Sequence, residues 1–111
     1  MVNIQKLEAK MLQVNEIFLA RFPKAVSDEM HIIGRALKIN AEAGEVGDAA
    51  LAHLGLKILK PGEDDTYKWV QGEVADVLLA TWMFCIKMDI DPLQVLADKA
   101  DQIINAEERH D

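Results

Sequence analysis

Four carboxylates stand out by type and spacing. Glu42 and Glu45 lie in Asn40-Ala41-Glu42-Ala43-Gly44-Glu45-Val46, and Glu73 and Asp76 lie in Gly72-Glu73-Val74-Ala75-Asp76-Val77-Leu78. Members of each pair are three residues apart, so on a helix they share one face. No Lys or Arg stands four residues C-terminal of any of them; those positions are Val46, Ala49, Val77 and Ala80. Acids with small apolar neighbours are expected to face inward. Four such groups near an apolar core repel one another and lose hydration unless a cation sits between them. Hard divalent cations take oxygen ligands, and Mg2+ serves phosphate chemistry in this way. The four are therefore candidate Mg2+ ligands, with Mn2+ able to substitute.

The elements that must position these acids are helices. Leu7, Met11, Val14, Phe18 and residues 20–22 give an apolar stripe at helical spacing, and Pro23 is expected to end that segment. Ser27 is an N-cap candidate, with Asp28 and Glu29 favourably placed in the first turn. The second helix is expected over 28–53. Residues 55–65, with Pro61-Gly62, read as a loop. Asp65 can cap a third helix reaching Met88. Asp91-Pro92-Leu93-Gln94 restarts a fourth, with Asp as cap, Pro in the first turn and Gln three residues after the cap. It is expected to run to Glu108. No segment alternates as a strand does. One loop joins the second and third helices, so they can pack antiparallel and bring the two acid pairs together.

At 111 residues, half of them hydrophobic, the chain fits one domain over 1–111. A small chain of long amphipathic helices leaves apolar faces uncovered, so a homodimer or homotetramer is expected to complete the core. The net charge of −7 argues against duplex nucleic acid and anionic membranes as partners. Cys85 is the single cysteine, which excludes an internal disulfide and fits a cytoplasmic setting. The charged N-terminal segment does not read as a signal peptide, and the apolar run at 77–86 is short for a bilayer.

Extending the acid stripes along their helices gives candidate substrate contacts. Backward from Glu42 come Lys38, Arg35 and His31, which can meet phosphates or face solvent. Forward from Asp76 come Ala80, Met83, Phe84 and Lys87. A small residue beside an aromatic and a Met can form a slot for a flat base or simply core. Asp48, one turn beyond Glu45, is either a further ligand or a solvated aspartate. Trp82 reads as core or interface, and Trp69, in a polar stretch, as a surface able to stack on a base. Lys57 and Lys60 are loop lysines within reach of a triphosphate or of nothing.

The paired motifs, with Met88-Asp89-Ile90-Asp91-Pro92-Leu93 before the last helix, resemble the MazG-like all-α nucleoside triphosphate pyrophosphohydrolases. The resemblance covers residues 32–109. It implies an antiparallel bundle of about four helices and hydrolysis of a nucleoside triphosphate to monophosphate and diphosphate, a reaction of nucleotide-pool sanitation. It implies metal at Glu42, Glu45, Glu73 and Asp76, with Glu42 or Glu45 activating water. It also implies phosphate contacts from Lys99, Asn105 and Arg109, though their spacing is looser than the family's. Ala41 stands where the family usually has a further Glu. A non-catalytic metal- or nucleotide-binding oligomerisation module is the alternative, and phosphoribosyl-ATP hydrolysis is a rival substrate. A di-iron bundle is disfavoured because neither motif is Glu-x-x-His.

Overall fold

The computed structural model describes residues 1–21, 26–57, 59 and 64–109. The expected chain end of the first helix at Phe22 and Pro23, and Lys60 with Pro61-Gly62, lie outside the described residues. Among the described residues the fold is all-helical, without strands. The helices are α1 (Ile4–Arg21), α2 (Asp28–His53), α3 (Thr66–Lys87) and α4 (Pro92–Glu108).

Local sequence sets these boundaries. Ser27 Oγ accepts from Met30 N–H at 3.3 Å, and Asp65 accepts from Lys68 N–H at 3.0 Å. Asp91 accepts from both Leu93 and Gln94 N–H, with Pro92 at the first helical position. The C-termini of α2 and α3 close by the same device. Past α2, Gly55 takes φ +74°, Leu56 N–H reaches Leu51 O at 2.8 Å and Gly55 N–H reaches Ala52 O. Past α3, Asp89 takes φ +55°, and Ile90 and Asp89 N–H reach Cys85 O and Ile86 O. In both, a left-handed residue satisfies two carbonyls that the helix end leaves open. Asp tolerates that conformation better than most side chains do.

The centre of the chain is the α2–α3 pair, to which α1 adds a smaller contact on α3. The pairing is antiparallel. Lys87, ending α3, bonds Asp28, opening α2, at 2.7 Å. At the other end His53 Nδ1 and Thr66 Oγ1 lie 2.9 Å apart. Between them, Arg35 Nη1 donates to Met83 O at 2.6 Å. Ala49, Ala52 and Ala80 are buried at the seam, where small side chains let the helices approach. By length and composition α3 is apolar enough to cross a bilayer, a property shared by core helices of soluble proteins, and here it packs along α2 and carries two of the acids.

The fourth helix stands apart. Every residue of α4 after Pro92 is exposed, including Leu93, Val95, Leu96, Ile103 and Ile104. Among the described residues, α4 therefore packs on no other helix to the extent that α2, α3 and α1 pack together, and its apolar face is left exposed. The Cα radius of gyration is 17.3 Å, against about 13 Å for a compact chain of this length. The surface is 8741 Å2, against roughly 6,100 Å2 for a compact 12.4 kDa monomer.

The seam is sensitive to volume. Ala49 has no exposed surface. Ala49→Leu should lower unfolding stability by about 1–3 kcal/mol through overpacking. Equilibrium urea denaturation measures it, and an unchanged midpoint would contradict the close α2–α3 approach at this position.

Candidate metal centre and adjoining cleft

The antiparallel pairing places the two acid motifs face to face. Glu42 on α2 and Glu73 and Asp76 on α3 each offer a carboxylate oxygen within 4.8 Å of the others. Glu42 is buried at 6 % relative exposure, Glu73 is half-buried and Asp76 is exposed. Burial of Glu42 is unusual for a charged residue. Glu45, one turn on, lies beside the set and is exposed.

Two of the carboxylates are tethered by one oxygen. Lys38 Nζ bonds Glu42 Oε1 at 2.7 Å, and Trp69 Nε1 donates to Glu73 Oε1 at 3.2 Å. Their other oxygens, Glu42 Oε2 and Glu73 Oε2, are shielded from water and have no partner. A buried acceptor without a donor is costly. Hard oxygen donors with unused lone pairs fit a divalent cation such as Mg2+. The Lys38 pair corrects one sequence expectation. Glu42 does have a basic partner, four residues N-terminal rather than C-terminal.

Electrostatics divide the set. The hydrogen bond from Lys38 holds Glu42 below the usual carboxylate range. Glu45 is pushed up, first by hydrogen bonding with Glu73 and then by the charges of Glu42 and Glu73. Ionised, Glu45 has no proton to share, and the facing oxygens stay unpartnered; protonated, it becomes a donor. Asp76 is raised first by burial, then by the charges of Glu42 and Glu73.

A cleft of about 670 Å3 opens from the acids, within the range of small-molecule sites. Glu42 and Asp76 form one end, with Lys38 beside them. Leu79, Ala80 and Met83 of α3 continue the wall, and Phe18 and Arg21 come from α1. Arg35 lines it as well, buried at 6 % exposure with Nη2 unpartnered.

Several candidates fall elsewhere. Phe84 is half-buried but does not line the cleft, and the aromatic wall is Phe18. Phe18 was legible only as an apolar position of the first helix. Asp48 is exposed and pairs with Lys57 at 3.2 Å, which accounts for both without phosphate or metal. Lys99 contacts Gln102, and Lys99, Asn105 and Arg109 are exposed on or just past α4, outside the cleft lining. Ala41 is exposed. Trp82 is half-buried, and Trp69 orients Glu73. No protein-family model, curated protein or solved structure matches the chain.

The raised acids give stability a direction with pH. In the metal-free protein, Asp76 and Glu45 bind protons more tightly than in the unfolded chain. Their contribution is fully present below the ordinary carboxylate range and is lost as pH rises through their raised values. Glu42 works oppositely, but its lowered value places its change below that window. The melting temperature of chelator-treated protein should therefore fall as pH rises from the ordinary carboxylate range through the raised values, with a shallower fall in Asp76→Asn. Thermal scans of both proteins check this. Equal slopes would mean that Asp76 titrates as an isolated carboxyl.

Proposed function

We propose that the protein is a Mg2+-dependent nucleoside triphosphate pyrophosphohydrolase of MazG-like type, releasing a nucleoside monophosphate and diphosphate. One observation carries this reading: the convergence of Glu42, Glu73 and Asp76 oxygens, two of the carboxylates retaining a buried unpartnered oxygen, at the mouth of a cleft. The resemblance of both acidic motifs to that family supports it, as does the helical pairing that sets them face to face.

Glu42, Glu73 and Asp76 would hold the cation, and Glu45 would join or border them. Bound Mg2+ would neutralise phosphate oxygens and make water easier to deprotonate. Glu45 is the side chain best suited to accept a proton from water. It is exposed, and its neighbours raise its proton affinity. Glu42 is the weaker base because Lys38 stabilises its charge. Lys38 is mostly solvent-exposed beside the acids and is placed to meet a phosphate oxygen. Trp69 keeps Glu73 oriented by its indole N–H, as hydrogen-bonded partners commonly do for ligating carboxylates.

Glu45→Gln and Asp76→Asn should each cut diphosphate release from a nucleoside triphosphate panel by about a hundredfold or more. Both keep volume and remove one charge. Asp64→Asn, exposed and outside the acid set, should leave turnover within about twofold. Equal losses in all three, or full activity in the first two at saturating Mg2+, would displace the site. Absence of diphosphate release in the wild type, with Mg2+ and nucleotide still bound, would favour the non-catalytic binding module.

The same reading includes assembly as a homodimer or a pair of dimers. The surplus of roughly 2,600 Å2 over a compact monomer lies at the upper end of the roughly 1,000–2,500 Å2 that an obligate homodimer removes from each subunit. The apolar residues of α4, Leu93, Val95, Leu96, Ile103 and Ile104, are all exposed and available to such an interface. Light scattering should give two or four times 12.4 kDa at micromolar concentration. Leu96→Glu, at a side chain 66 % exposed in one chain, should shift that mass downward. A monomeric wild type would overturn the assembly.

A further inference from the structure

The cleft contains a second unsatisfied group, of opposite sign to the acids and on the far side of Lys38. Arg35 stands seven residues before Glu42 on α2, about 10 Å along the axis. The residue is 6 % exposed. Nη1 is fixed on the Met83 carbonyl at 2.6 Å, and Nη2, shielded from water, has no acceptor. Arginine has only donors, so the missing partner must be an acceptor. Burial lowers the Arg35 pKa from its ordinary value, the direction expected for a cation short of partners.

The surroundings say what kind of acceptor. Phe18, Leu79, Ala80 and Met83 give this part of the wall apolar faces, with Arg21 stacked 5.9 Å from the Phe18 ring centroid at its border. A phosphate tail is better served at the other end, by Lys38 and the acid set. A planar group carrying one oxygen suits apolar walls with a single buried donor. A nucleobase held there has its triphosphate side toward Glu42 and Asp76.

We propose that the Phe18–Met83 part of the cleft takes the nucleobase and that Arg35 is a specificity-determining residue, donating from Nη2 to an exocyclic keto oxygen. Bases that carry such an oxygen, uracil, thymine, cytosine and guanine, are preferred, and adenine, which has none, is disfavoured. The inference rests on the nucleotide reading of the acid site. It adds a base class, which that reading leaves open. A site built to hydrogen-bond a polar atom rejects analogues lacking it, because its own donor is then left buried and unpaired.

The test uses α,β-methylene analogues of UTP, CTP, GTP and ATP, with Mg2+, titrated by calorimetry into the full-length wild type, Arg35→Met and Arg35→Lys. Wild type should bind the keto-base analogues about tenfold to a hundredfold more tightly than the ATP analogue. Arg35→Met should bring all four within about threefold of one another, chiefly by weakening the keto-base analogues. Arg35→Lys retains the charge but not the two-sided fork, and should also lose most discrimination. It carries the test if the Met variant does not fold. Equal wild-type affinities for the four analogues would overturn the inference while leaving the nucleotide reading intact. A uniform loss across all bases in the Arg35 variants would also overturn it, by placing Arg35 on phosphate. If no analogue binds the wild type at all, the nucleotide reading itself fails, and this inference with it.

Discussion

The rest of the structure depends on holding carboxylates together at the seam of α2 and α3. Like charges at close range repel, and burial of Glu42 adds a loss of hydration. The chain meets this with two neighbours and a raised proton affinity at two of the acids. Lys38 neutralises one oxygen of Glu42, Trp69 fixes one oxygen of Glu73, and raised proton affinity at Glu45 and Asp76 lowers the net charge. The helices can sustain the arrangement because they are clasped at both ends, Lys87 to Asp28 and His53 to Thr66, with alanines between. Partial satisfaction is the informative feature. Each tethered carboxylate keeps one buried oxygen in reserve, which a packing role alone does not explain.

The cleft has a polarity along its length that follows from the same antiparallel pairing. Residues early in α2 face residues late in α3, so Arg35 meets Met83 while Glu42 meets Asp76. Acids and an exposed lysine line one part, and apolar walls with the buried Arg35 guanidinium and Arg21 at the border line the other. Such a gradient suits an elongated ligand with a charged tail and a flat head. The first helix supplies the wall that the hairpin lacks, through Phe18 and Arg21, whose guanidinium sits 5.9 Å over the Phe18 ring.

Stability and assembly pull in one direction. Among the described residues no large side chain is fully enclosed, and the hydrophobic residues of α4 are turned to water. With half its residues apolar and so little interior, the chain has the exposed hydrophobic area that the proposed association would bury.

Periodicity and capping were enough to determine the helices. Ser27, Asp65 and Asp91 cap as their types dictate, and α2 and α4 span 28–53 and 92–108 as expected, because these signals act over three or four residues and need no distant partner. The shared face of each acid pair was legible for the same reason. What sequence left undecided was every choice between two plausible partners. Asp48 went to Lys57 and Lys38 to Glu42, while Phe18 rather than Phe84 became the aromatic wall. Those outcomes depend on how α1 lies on α3 and on which rotamers face the cleft, and no local spacing encodes them. Only the tertiary pairing showed that Glu42, Glu73 and Asp76 converge while Glu45 stands at their edge. Only it left Arg35 buried with a donor to spare, because burial is a property of the packed helices and not of the residue.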